Sequence, residues 1–358
     1  MKISFQKKNR GIAVIVALVA VTVLTILAGA FAYSMKIETR LAANASNDEQ
    51  MLWLGRAGVE LARYVISLEN NQPYDALNQI WAGGPGAGAE TNSAIYGLKL
   101  DNFPIGEHSV SVKIIDLERK VNVNTAPQQP LLISQVLTVM GADAGAISAV
   151  SDSIQDWVDP DDATRPGGAE SDYYQGMNPP YYAKDAPIDD LAELMLVKGV
   201  TFAMFKGGSA TNSQGAAFQH HKLGLGHTFS EEPNYAFGLQ DVFTPFGTGK
   251  ININTADANV LQLIPGVDTT TAADIIKWRA GPDGQAGTED DTPFQNPGQL
   301  QAAGIDPRVA QQMQPYIATK STTFEVHVTA HIGELNREFV AVLWRGGPNV
   351  QTVEFYWK

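Results

Sequence analysis

Two stretches of this sequence concentrate the atoms that bind hard cations. Between Asp152 and Asp172 seven carboxylates accompany a single Arg165, in a run that reads Asp156-Trp-Val-Asp-Pro-Asp-Asp162 and then Arg165-Pro-Gly-Gly-Ala-Glu170. A second run, Pro282-Asp-Gly-Gln-Ala-Gly-Thr-Glu-Asp-Asp-Thr292, packs four carboxylates around glycines that let a loop wrap closely. Calcium takes about six to eight oxygens from flexible sets of carboxylates and carbonyls. Composition and loop character therefore predict structural calcium on Asp159, Asp161, Asp162, Glu170, Asp283, Glu289, Asp290 and Asp291. The spacing is not that of an EF-hand, and the opposing reading is a pair of solvated acidic loops.

Other chemistry is poorly supplied. His220, His221 and His227 sit in a Gly-rich stretch and invite a zinc reading, but no fourth ligand or regular helix accompanies them. The sequence has no Gly-x-Ser-x-Gly, no His-Glu-x-x-His and no phosphate-cradling Walker loop. It has no cysteine, hence no disulfide and no thiol nucleophile. A formal charge of −13 argues against a partner such as nucleic acid, whose phosphates need clustered Lys and Arg. An anchored enzyme using paired carboxylates, for instance on glycans, remains as a competing reading. The balance favours a structural assembly subunit over an enzyme.

The acidic runs must be carried by something, and the first elements are membrane-facing. Ile12 to Met35 is an uncharged run of 24 residues. At ~1.5 Å per residue such a helix spans about 36 Å, enough to cross a hydrocarbon core of roughly 30 Å. Lys2, Lys7, Lys8 and Arg10 precede it with no acid among them, which keeps the N-terminus cytoplasmic and exports the rest of the chain. Arg10-Gly11-Ile12 resembles the junction of a type IV prepilin leader, which implies cleavage by a prepilin peptidase after Gly11 and methylation of Ile12. Beyond the apolar run, Met51, Leu54, Leu61, Val65 and Leu68 recur at helical spacings, so one helix is expected over 12–70, weakened but not ended by Gly55 and Gly58.

Further along, strand patterns appear around Tyr96–Leu100 and Ser109–Ile115. At the C-terminal end Phe324–Ile332, Phe339–Trp344 and Val350–Tyr356 predict three antiparallel strands. Between them the patterns are helical. The economical fold is α+β: a long N-terminal helix, then a pilin-like α/β domain over 71–119 and 320–358, interrupted by an all-α insertion over 120–319. The insertion holds an internal repeat, Lys120-Val-Asn-Val-Asn-Thr-Ala126 and Lys250-Ile-Asn-Ile-Asn-Thr-Ala256. Asn124-Thr125 and Asn254-Thr255 are expected to cap the helices that follow. After the second copy, Leu263-Ile-Pro-Gly-Val-Asp268 followed by Ala272, Ala273, Ile275 and Ile276 reads as a helix-hairpin-helix unit. Asp268 stands where a phosphate-binding hairpin would avoid a carboxylate, so packing or a protein partner is the expected use.

The order of these features, with Tyr173-Tyr174 and the stretch Asp190 to Gly199, resembles the protein K family of type II secretion, the large minor pseudopilins. The resemblance covers nearly the whole chain. It implies a subunit at the tip of a short periplasmic pseudopilus, together with minor pseudopilins I and J, in export of folded proteins across the outer membrane. Pilin-like subunits carry a glutamate five residues into the mature chain, where this sequence has Val16; a subunit with none ahead of it can dispense with that charge. The alternative is a type IV pilus or DNA-uptake minor pilin.

Overall fold

The computed structural model describes residues 10–86, 97–207, 235–347 and 349–358. His220, His221, His227 and the basic leader up to residue 9 lie outside them. In chain order the elements are α1 (Arg10–Leu68), β1 (Phe103–Ile105), β2 (His108–Asp116), β3 (Val121–Asn122), α2 (Pro130–Met140), α3 (Ala144–Val158), α4 (Ser171–Tyr174), α5 (Phe202–Lys206) and α6 (Leu239–Val242). There follow β4 (Phe243–Thr244), β5 (Ile251–Asn252), α7 (Ala258–Leu261), α8 (Thr269–Arg279), α9 (Pro307–Met313), β6 (Ile317–Ala318), β7 (Thr323–Ile332), β8 (Leu335–Gly346) and β9 (Asn349–Trp357).

Helix α1 is continuous for 59 residues. Its side chains from Ile12 to Met35 are exposed, the condition of a helix long and apolar enough to cross a membrane. From Met51 onward one face is buried on the sheet through Leu54, Val59, Ala62, Val65 and Ile66. The two glycines that the sequence presents as weak points are the places where helix and sheet touch. A Cβ on Gly58 would lie 2.3 Å from Val328 Cγ1, and one on Gly55 would lie 2.6 Å from the Phe339 ring. Gly58→Ala gains about 1 kcal/mol of helix propensity, but overpacking costs about 1–3 kcal/mol. Thermal unfolding of Gly58→Ala is therefore expected to show a net loss, whereas Gly29→Ala, whose Cβ meets nothing within 4 Å, leaves stability unchanged or raised. Equal effects at the two positions would refute this account of the contact.

The five-stranded sheet runs β1-β2-β7-β8-β9 with every pair antiparallel. Phe324, Val326, Val328 and Ala330 of β7 alternate with half-buried Glu325, His327, Thr329 and His331, so the period-2 pattern becomes a face against α1. The three C-terminal strands are thus as the sequence predicts. The strand expected around Tyr96–Leu100 is not one in its described part: residues 97–100 are turn and irregular chain, and the edge strand falls at Phe103–Ile105. Among the described residues one ladder-like bond is found there, from the Val112 amide to the Leu100 carbonyl at 2.8 Å.

The regular structure of the insertion is mostly helical, but it is not all-α: each repeat opens a two-residue strand that pairs in parallel with a strand closing its half, β3 with β4 and β5 with β6. The capping expectation needs correction. The first asparagine of each copy, not the second, caps: Asn122 Oδ1 accepts from the Asn124 amide at 2.9 Å and Asn252 Oδ1 from the Asn254 amide at 3.0 Å, each closing a short turn. Helices α2 and α7 begin later, at Pro130 after Gln129 and at Ala258 after Asp257, whose carboxylate accepts from Val260. The second asparagine clasps a remote loop as a strand would. Asn124 accepts from the Ile188 amide at 2.7 Å and donates to the Ile188 carbonyl at 2.9 Å, and Asn254 does the same with Phe294 at 2.8 and 2.9 Å. A side-chain amide is the one group that can both donate and accept in this geometry.

The insertion leaves the sheet after β2 and returns before β7, and these ends are cross-bonded in a buried polar joint. Asp116 Oδ2 accepts from Asn252 Nδ2 at 3.0 Å, Thr255 Oγ1 at 2.6 Å and Ser321 Oγ at 2.7 Å. Asp75, wholly buried, forms an ion pair with Arg345 and accepts from the Ser321 amide at 2.7 Å; Arg345 also donates to the Ser321 carbonyl. Glu118 accepts from the Thr322 amide at 3.1 Å and from Thr322 Oγ1.

Candidate cation site

Helix α3 places Asp152, Asp156 and Asp159 on one face at spacings of four and three, with Asp159 as its C-terminal cap. Carboxylates are unfavourable at that end of a helix dipole unless a cation offsets them. Arg165 does so in part. Its guanidinium donates to Asp156 Oδ1 at 2.6 Å and to Asp159, and its amide reaches Asp156 Oδ2 at 3.2 Å. Gly167 donates its amide to Asp152 at 2.9 Å. Gly168 lies so close that a Cβ would fall 1.8 Å from Asp156 Oδ2, so only glycine lets the loop close over the helix.

Past this ion pair three more carboxylates converge in a cup. Ligand oxygens of Asp162, Glu170 and Asp185 lie within 4.8 Å of one another. Both Glu170 oxygens are buried without a hydrogen-bond partner, as are Asp159 Oδ1 and Asp185 Oδ1. Glu170 is only 3% exposed. Burial first, and then the charges of Asp156, Asp185, Asp159 and Asp162, push its carboxyl up to about 8. Asp185 is raised by burial and by Asp162, Asp159 and Asp161. Orphaned buried acceptors cost about 1–3 kcal/mol each, more when charged. The donor set is all oxygen, and two ligands on opposite sides of calcium at about 2.4 Å each are roughly 4.8 Å apart. The residues present therefore fit a hard divalent cation.

The predicted ligands divide. Asp162 and Glu170 meet in the cup, and Asp159 borders it while bound to Arg165. Asp161 accepts from the Ala163 amide at 2.9 Å within its own loop and is exposed. In the second run Asp283 accepts from the Gln285 amide at 2.7 Å, Asp290 from the Asp283 amide at 3.0 Å and Asp291 from the Gly287 amide at 2.8 Å. Those carboxylates with Glu289 form a self-bonded loop and, among the described residues, no three of them converge. Sequence reasoning missed Asp185. Its only signal is position: Glu170 immediately precedes and Asp185 immediately follows the segment Ser171–Lys184, so a cation held by both would close the base of that excursion.

In the hairpin unit Asp268 Oδ1 accepts from the Thr271 amide at 2.7 Å and so occupies the start of α8 that a phosphate would use. Gly266 makes the turn at φ +86°. A family model for the helix-hairpin-helix motif matches residues 247–318, and one for protein K of the type II secretion system (T2SS) matches 114–207. The type II secretion system protein K of Aeromonas hydrophila is 22% identical over 56% of this chain and 61% of its own length. That of Pseudomonas aeruginosa is 25% identical over 54% of this chain and 58% of its own. Over residues 114–207 the chain thus matches the protein K family of type II secretion. The aligned part spans about three fifths of the length of these relatives. In fold, the chain is similar to GspK in the crystal structure of the GspK-GspI-GspJ complex from enterotoxigenic Escherichia coli. The TM-score is 0.62 at 18% identity, over 88% of this chain and 99% of that one. The α+β architecture with a helical insertion is therefore shared with that structure.

Proposed function

We propose that this protein is a minor pseudopilin at the tip of a type II secretion pseudopilus, acting in export of folded proteins and assembling there with minor pseudopilins I and J. The observation that carries the reading is one unbroken helix whose first half is bare apolar surface and whose second half is buried on a sheet, with a large insertion hung from the far end of that sheet. Such a helix anchors the subunit in the inner membrane while the sheet and insertion stand in the periplasm. Its exposed face remains available to neighbouring pilin-like helices. Prepilin peptidase cutting after Gly11 would leave Ile12 as the first residue of the mature anchor. Val16 in place of a glutamate fits a subunit with no neighbour ahead.

Calcium is part of this reading. Asp162, Glu170 and Asp185 would hold it, and its chemistry there is neutralisation of buried charge at the root of the 171–184 excursion. The cation is structural; nothing is transformed on it.

The full chain, co-expressed with the two neighbouring minor pseudopilins and extracted in detergent, is expected to elute as one discrete three-component complex. A chain that elutes alone under conditions where the other two associate would sink the tip assignment. Binding of DNA that weakens steeply with salt would favour the pilus reading instead. The carboxylate at the start of α8 speaks against it.

A further inference from the structure

A cleft of about 440 Å³ lies between the pilin-like body and the hairpin unit. Its size falls among those of small-molecule sites, roughly 300–1,000 Å³. Tyr74 and Asn78 line it from the segment after α1; Trp278, Asp291, Gln295 and Gln299 line it from the hairpin side. Trp278 is 39% exposed and stacks on Phe294 with ring centroids 6.3 Å apart, which holds its indole in place. Asn78 is 1% exposed, and its Oδ1 has no hydrogen-bond partner. Asp291 uses its oxygens on the Gly287 amide and Thr288, leaving acceptor capacity of the roughly four sites a carboxylate offers.

The chemistry of this wall is selective. Aromatic faces carry negative quadrupole potential that attracts the polarised C–H groups of a sugar ring. Planar amides and a carboxylate suit hydroxyls, which donate and accept at once. A proline-rich strand would use the same two rings, but it offers few N–H donors, while Asp291 and the exposed Gln295 carry free acceptor capacity. An anionic sugar would meet Asp291 and a chain of net charge −13. We propose that this cleft is a subsite for a neutral saccharide, with Trp278 and Tyr74 as stacking faces and Asp291, Gln295 and Gln299 as hydroxyl partners. The inference stands independently of the tip assembly, so loss of the three-component complex would leave it intact.

The test uses the full chain in a non-glycosidic detergent, with saturation-transfer NMR and tryptophan fluorescence as readouts. The probes are tetramers of β-1,4-linked glucose and of β-1,4-linked N-acetylglucosamine, and a proline-rich decapeptide. At least one tetramer is expected to bind and the peptide is not. Trp278→Ala is expected to weaken that binding about tenfold, whereas Trp344→Ala, on the sheet, leaves it unchanged. If Trp278→Ala fails to fold, Trp278→Phe and the exposed Gln295→Ala are expected to weaken it about threefold. Failure of both tetramers to bind, preference for the peptide, or affinity unaltered in the folded variants overturns the proposal.

Discussion

Arg345→Met is expected to lower stability by about 3–5 kcal/mol, near the largest loss any single change in this chain should produce. The Arg345 side chain is 2% exposed and that of Asp75 is fully buried. The guanidinium meets both Asp75 oxygens and the Ser321 carbonyl, and it lies 5.1 Å from the centre of the Phe324 ring. Truncation leaves a carboxylate without water and without a counter-charge, and that desolvation dominates over the lost attraction. At about 2–4 °C per kcal/mol for a chain of this order of size, the unfolding midpoint should fall by roughly 6–20 °C. The double variant Asp75→Asn with Arg345→Met removes both charges and is expected to recover at least half of the loss. A double variant no better than the single would show that the joint is held by shape, not by the pair.

The cation site should reveal itself through a steep pH dependence of stability without metal and a flatter one with it. Glu170 is raised to about 8 and Asp116 to about 7, the latter by burial against the opposing hydrogen bonds of Thr255 and Ser321. In both cases the folded value lies above the unfolded one near 4. The folded chain therefore binds more protons across that window, and stability is fully present below about pH 4 and is lost as pH rises through 7 to 8. In chelator the unfolding temperature should fall steadily from pH 5 to 8.5. Calcium binds the deprotonated site, so its affinity should rise over the same range and flatten the fall. At a hundred times its dissociation constant it adds about 2.7 kcal/mol, or roughly 5–10 °C by the same scaling. Glu170→Gln keeps the shape and removes one buried charge. It is expected to be more stable than the parent in chelator and to gain little from calcium. A parent protein whose unfolding ignores calcium at pH 8 would dispose of the site.

Much of this architecture is visible in the residues. The alternation of β7 sets its buried face, and the apolar spacing of α1 sets its packed half, because both patterns report burial along one continuous element. The acid-rich end of α3 is visible for the same local reason. What is not visible is long-range closure. Asp75 and Arg345 meet across most of the chain, and Asp185 joins Asp162 and Glu170 from the far side of an aromatic excursion. Nothing in local spacing distinguishes Asn124 as a clasp from Asn122 as a cap, since both are asparagines in a short polar repeat whose partners are set by the fold. Gly55 and Gly58 mislead in isolation, because helix propensity is a local quantity while the approach of Val328 and Phe339 is not.

The joint at the root of the insertion also has a mechanical consequence. Asp116 and Phe324, where the chain departs from and rejoins the sheet, are register partners on adjacent antiparallel strands. Thrust applied along α1 passes into β2, β7 and β8, and those two anchor points move together. The segment after α1 is tied to the insertion as well, through Asn252 Nδ2 to the Asp75 carbonyl at 3.1 Å and the Asp75 amide to the Thr319 carbonyl at 2.8 Å, so a displacement of the helix would carry sheet and insertion along as one block.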